Sequence, residues 1–302
     1  MKTAAQAMVL ASFVGDSLAL GVHWIYDTAE ISSRIGRIDS LLPPATDGYH
    51  PTKKRGQLTH YGDQALHLLR YLGSCQGRFA PDDYGREWRR FIEGYAGYMD
   101  RASKATLQNL EAGMTADNCG SPSTDLGGAA RIAPLIYAFR DDREALMSAV
   151  AAQTTLTHQG PGAVAAALFL ARATFAILHG SSLREALVEA LAQGLDSPEL
   201  SLRLQDCLDK HGDDVTAAVK GYGQACSVNA ALPGAVYTAL QHEDNLAEAL
   251  VATVMAGGDS AARAMAVGML LGARHGLAAI PAPWLAGLEA RTEIDTLLAT
   301  LP

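Results

Sequence analysis

The sequence predicts an all-α protein, on three observations. Alanine is very frequent and leucine is common, and both head the helix-propensity ranking. Aromatic residues, which strands favour, make up only 6% of the 302 residues. No stretch alternates apolar and polar residues with the period of a half-buried strand.

Each helix follows from local pattern. Thr3–Leu20 is apolar and reads as the first helix, although Lys2 before Ala7–Val14 imitates a short signal peptide. Ser33–Tyr61 is irregular, with Pro43-Pro44, His50-Pro51 and the basic run Lys53-Lys54-Arg55. A loop of that length in a compact domain is usually functional. Ala65, Leu66, Leu68, Leu69 and Leu72 form a helical stripe over Asp63–Leu72. Pro81-Asp82-Asp83 opens Tyr84–Met99, with acidic residues where the helix dipole favours them. Gly127–Phe139 is helical with a kink expected at Pro134. Then follow Arg143–Thr154, Ala163–Leu178, Leu183–Ala192, Ser201–Leu208, Val215–Lys220, Ala235–Leu240, Asn245–Met255, Ser260–Arg274 and Pro283–Leu298. Nothing resembles a linker or a repeat, so the chain reads as one domain over residues 1–302.

Composition excludes some functions. With 24 Lys+Arg and 32 Asp+Glu the net charge is −8, which argues against general nucleic-acid binding. Apolar residues at 49% and charged residues at 19% exclude intrinsic disorder. No apolar run approaches the ~20 residues of a membrane helix. Cys75, Cys119, Cys207 and Cys226 are scattered and form no CxxC pair, as expected of free thiols in a reducing cytoplasm.

Several segments carry chemistry. In Gly15-Asp16-Ser17, an aspartate inside an apolar helix is locally costly; it caps a neighbouring helix or binds a ligand. His23 follows closely. In Thr59-His60-Tyr61-Gly62-Asp63, a polar cluster ends the long loop, and by position Asp63 reads as an N-cap. Gly127-Gly128 at a helix start would free N–H groups for an anion, and Gly257-Gly258 before Asp259-Ser260 would let a ligand approach the backbone. His158, in Thr157-His158, sits at a turn between helices.

Taken in order, Gly15-Asp16-Ser17, Gly62-Asp63, Arg131-Ile132-Ala133-Pro134, Thr157-His158 and Gly257-Gly258-Asp259-Ser260 resemble the ADP-ribosylglycohydrolase superfamily, roughly from Ala5 to Gly276. The superfamily includes the dinitrogenase reductase-activating glycohydrolases and certain lens crystallins. The resemblance implies an all-α single domain with a central cleft that holds two magnesium or manganese ions in active members. It also implies hydrolysis of an N- or O-glycosidic bond to ADP-ribose, with ADP-ribose or an ADP-ribosylated substrate as partner. The motifs depart from the family at the metal. Its Thr-Asp-Asp-Thr stands here as Tyr61, Gly62, Asp63 and Gln64. Its Gly-Gly-Asp-Ser/Thr-Asp-Thr stands as Gly257, Gly258, Asp259, Ser260, Ala261 and Ala262. A glutamate that many members carry falls at His23. Asp63 and Asp259 therefore carry over as catalytic and metal residues, with Ser260 beside them. The ligand-binding set is Asp16, His23, His60, Tyr61, Gly127, Gly128, His158, Gly257 and Gly258. Two carboxylates supply one weakly held ion at most, so a single magnesium or manganese ion and no cofactor at all both stay open. A hydrolase, a non-catalytic ADP-ribose or nucleotide binder and a crystallin-like structural protein all stay open too.

Overall fold

A computed structural model describes every residue except 47, 211 and 213. Its helices are α1 (Lys2–Ala19), α2 (Thr28–Glu30, running on as a π-turn over Ile31–Ile35), α3 (His60–Ser74), α4 (Pro81–Glu93), α5 (Arg101–Glu111), α6 (Gly127–Ala130), α7 (Ala133–Ala138), α8 (Arg143–Thr155) and α9 (Ala163–Leu178). They continue with α10 (Leu183–Ala192), α11 (Pro198–Asp209), α12 (Val215–Tyr222), α13 (Val228–Gln241), α14 (Leu246–Met255), α15 (Ser260–His275), α16 (Ala282–Gly287) and α17 (Arg291–Thr300). Among the described residues there is no strand, only isolated bridges between Ser121 and His158 and between Asp125 and Ser227. The fold is all-α and a single domain, and no described helix is long and apolar enough to cross a membrane.

The centre is the pair α1 and α15, each buried on all sides along most of its length. Small residues make this contact. A Cβ on Gly15 would lie 2.5 Å from Ala264 O, one on Gly268 2.4 Å from Ala11 O, and one on Gly272 2.8 Å from Ala7 O. These pairs run in opposite order along the two helices, so the helices are antiparallel and their backbones nearly touch. A helix apolar all round must sit in the core, and here both do. The C-terminal end of α1, which carries Asp16, thus meets the N-terminal end of α15, which carries Asp259. The start of α3 reaches the same place, and α7, α9, α13 and α14 pack around the pair.

Several element boundaries differ from the sequence reading. Helix α4 ends at Glu93, not Met99; the chain leaves it at Gly94 and carries Tyr95 and Tyr98 toward the site. Helix α5, unforeseen, starts where the Asp100 carboxylate accepts from Ser103 N at 2.6 Å. Residues 127–139 form two helices broken at Arg131-Ile132. Pro134 sits in the first turn of α7, where its missing N–H costs nothing. Helix α13 begins at Val228 and runs through Pro233, held by its buried face. The last expected helix is split into α16 and α17. The long loop contains α2 and its π-turn, and position 47 within it lies outside the described residues.

Candidate functional site

Asp16 is a cap. Its Oδ2 accepts from Thr59 N at 2.7 Å, and its Oδ1 accepts from the Thr59 hydroxyl and from Gly62 N at 3.2 Å. Thr59 Oγ1 in turn accepts from Tyr61 N at 3.2 Å. So Thr59 and Asp16, not Asp63, satisfy the free N–H groups of α3, which starts at His60. Burial pushes the Asp16 carboxyl up to about 7, against the opposing pull of the Thr59 hydrogen bonds. Gly62 is required here: a Cβ would sit 2.3 Å from Asp16 Oδ2.

Asp259 is the matching cap of α15. Its Oδ1 accepts from Ala262 N at 3.4 Å, and its Oδ2 accepts from Tyr61 OH at 2.9 Å. Burial raises its carboxyl above the ordinary range, opposed by the charge of Arg263 and by the Tyr61 hydroxyl. His23 Nδ1 lies 3.9 Å from Asp259 and accepts from Ala261 N at 3.4 Å. That donor requires an unprotonated Nδ1, so His23 is neutral; burial holds it down to about 3. Ser260 is fully buried, with an unpartnered hydroxyl.

A backbone clamp joins the two halves of the site. Trp24 N donates to Gly258 O at 2.9 Å, and Gly258 N donates back to Ile25 O at 2.8 Å. Gly257 N is spent on Val254 O. Both glycines have left-handed backbone, φ +70° and +67°, and a Cβ on Gly258 would be 2.3 Å from Gln224 O. Their N–H groups therefore face protein, not an anion. Gly127 and Gly128 likewise serve packing: a Cβ on Gly127 would strike the Tyr61 ring at 2.4 Å, and one on Gly128 the His158 ring at 2.9 Å. His158 is buried and neutral, its Nδ1 2.9 Å from the Thr157 hydroxyl. The buried Arg131 guanidinium donates to Gln64 and to that same hydroxyl.

The clamp sets Trp24 at φ +69°, a strained backbone for a bulky residue. Its ring faces a cleft of about 560 Å³. Trp24, Tyr49 and Tyr98 meet there edge to face, with centroids 4.7 to 5.5 Å apart, and Tyr26 and Tyr61 complete an aromatic wall. Asp100, Asp125, Arg101 and the segment 121–124 also line the cleft. That segment is fixed by Ser121 N to Thr157 O at 3.1 Å and by Val228 N to Thr124 O at 2.8 Å. Burial raises the Asp100 carboxyl above its usual range. Behind it, His60 Nε2 approaches Asp100 Oδ2 at 3.4 Å without hydrogen-bond alignment, and His60 Nδ1 is 3.1 Å from His50 Nε2. Both imidazoles are held neutral, chiefly by burial.

Of the residues singled out in the sequence, Tyr61 lines this cleft, while Asp16, His23, His60 and Asp259 stand behind its wall. Asp63 points elsewhere, receiving Lys53 Nζ and Tyr95 OH on its Oδ2. Among the described residues no three His, Cys, Asp or Glu side chains gather so as to hold a metal ion. The oxygen donors present do not suit the magnesium or manganese pair of the family: Asp16 and Asp259 are committed to caps, and Asp63 has a resident ammonium. Among the cleft residues, Trp24 and Asp125 lie in segments that the sequence marks as carrying chemistry, whereas Tyr49, Tyr98 and Asp100 do not. The one available signal was that aromatic residues, scarce overall, recur within this loop and after α4.

The chain is 25% identical over 296 residues to the ADP-ribosyl-[dinitrogen reductase] glycohydrolase of Rhodospirillum rubrum, covering 95% of this chain and 92% of that one. It is 24% identical over 311 residues to crystallin J1A of Tripedalia cystophora, covering 97% and 94%. Among solved structures, an ADP-ribosylglycohydrolase-related protein complex superposes with a TM-score of 0.80 at 22% identity, covering 99% of this chain and 96% of that one. The ADP-ribosylglycohydrolase family pattern matches residues 2–301, nearly the whole chain, and the chain therefore belongs to the ADP-ribosylglycohydrolase family.

Proposed function

We propose that the cleft binds ADP-ribose or an ADP-ribosylated substrate and hydrolyses the N- or O-glycosidic bond to ADP-ribose. The observation that carries this reading is one cleft lined both by two carboxylates, Asp100 and Asp125, and by five aromatic side chains, in a chain of this family. Aromatic faces suit a purine, since every base offers a π-face for stacking. Glycosidic cleavage passes through an oxocarbenium-like state that nearby carboxylates stabilise. Asp100, whose carboxyl burial raises above its usual range, is suited to protonate the leaving group as the glycosidic bond breaks and then to take a proton from the water that bonds to the anomeric carbon. Asp125, at the same wall, supplies negative charge to the developing cation. No step here passes through a metal ion.

A second reading, a binder without turnover or a crystallin-like structural role, is favoured by Gly62, Ala261 and Ala262, which bring no side-chain oxygen at three positions of the family's metal motifs. The two readings separate in one experiment. ADP-ribose should raise the melting temperature of the protein, and Asp100→Asn should leave that shift intact while lowering release of ADP-ribose from an ADP-ribosylated arginine or serine peptide by about 100-fold or more. A ligand shift without any turnover in the wild type would select the binder. No shift at millimolar ADP-ribose and no turnover would leave only the structural role.

A further inference from the structure

The basic run Lys53-Lys54-Arg55 is unexplained by the fold or by the cleft chemistry. Lys54 and Arg55 are exposed, but Lys53 is folded inward. A turn closed by Lys53 N to His50 O at 3.0 Å aims it, and His50 is itself anchored on His60. The Lys53 ammonium rests on Asp63 Oδ2, with both side chains about 15% exposed (15% and 16%). Tyr95 OH donates to the same oxygen, and the Lys53 Nζ lies 5.9 Å from the centre of the Tyr95 ring.

We propose that Lys53 is the resident cation of this site, standing in for a divalent ion at Asp63, so that the protein neither holds nor requires magnesium or manganese there. Two further observations agree. No side chain fits at position 62, because Asp16 Oδ2 occupies the space its Cβ would take. Ala261 and Ala262 are fully buried and bring no oxygen, and Asp259 already feels the charge of the buried Arg263 guanidinium. A divalent ion demands about six oxygen ligands, whereas an ammonium brings charge on a tether and needs only hydrogen-bond acceptors. An entering ion would have to expel Lys53 and leave that ammonium half-buried without its carboxylate.

The test uses manganese(II) alone, on chelator-stripped full-length protein without nucleotide, so its outcome does not depend on the ADP-ribose reading. Calorimetry and the electron paramagnetic resonance of free manganese should show no binding below ~1 mM. Lys53→Met should melt several degrees lower, and ~1 mM manganese should recover part of that loss. The wild type and the double variant Lys53→Met/Asp63→Asn should ignore the ion. Stoichiometric binding by the wild type at ~0.1 mM or below overturns the proposal. So does a folded Lys53→Met protein indifferent to manganese. Should Lys53→Met fail to fold, the wild-type titration decides between no binding and stoichiometric binding.

Discussion

Replacing Gly62 with alanine gives opposite answers depending on whether local or tertiary physics rules. Gly62 lies within α3, and by propensity alone a helical Gly→Ala change stabilises by about 1 kcal/mol. The tertiary surroundings reverse the sign. The added Cβ would be 2.3 Å from Asp16 Oδ2, 2.7 Å from Asp16 Cγ and 2.9 Å from Leu58 Cβ. Asp16 is rooted in the fully buried end of α1 and cannot swing aside without releasing Thr59 and Gly62. Losing that cap costs about 0.5–2 kcal/mol, and the steric strain adds roughly 1–3 kcal/mol. Set against the propensity gain, the net loss is about 0.5–4 kcal/mol. Urea denaturation followed by far-UV circular dichroism should show a lower midpoint for Gly62→Ala at unchanged slope. A midpoint equal to or above that of the wild type would refute the account of Asp16 as the cap that fixes position 62. The same sterics forbid restoring the family's aspartate: Gly62→Asp should be worse still, because it sets a second carboxylate against Asp16.

Asp16 also predicts a pH effect. Its folded-state value of about 7 lies above the ordinary 3.8, so the native state holds the extra proton. Its contribution is therefore fully present below pH ~4 and is lost as pH rises through 7, at about 1.4 kcal/mol per pH unit within that window. Asp16→Asn removes the titration, so the stability of the variant relative to the wild type should rise between pH 5.5 and 7.5 in paired urea melts; a constant difference would contradict it. Tyr61→Phe leaves Asp259 Oδ2 buried without its 2.9 Å donor and should cost about 1–3 kcal/mol in the same assay, and a neutral outcome would mean that water replaces the hydroxyl.

The fold class was legible in the chain because it depends on composition and period, which are local. Ala163–Leu178 and Leu183–Ala192 were bounded as they stand, since Gly162 and Ser182 mark their starts. Boundaries failed where a residue's role is tertiary. Asp63 looked like a cap because caps are read from sequence neighbours, yet the α3 N–H groups are met by Asp16, 46 positions from Gly62. Helix α5 was missed because its buried residues are few, Ala102, Ser103 and Thr106, and give no apolar stripe.

The motifs alone pointed to the family and singled out the segments around Asp16, Asp63, Gly127 and Asp259. Only the tertiary structure decided what those segments do. Gly127-Gly128 and Gly257-Gly258 are glycines because rings and carbonyls press on them, a fact about neighbours far away in sequence. Asp16 caps α3 because α1 and α15 run antiparallel in near backbone contact and bring the polar end of α1 to α3, whereas Asp259 caps its own helix locally. The cleft itself joins Trp24, Tyr49, Tyr98, Asp100 and Asp125 from separate loops. No local spacing could have announced that grouping, because loop residues meet only after the buried helices beneath them have fixed where each loop begins and ends.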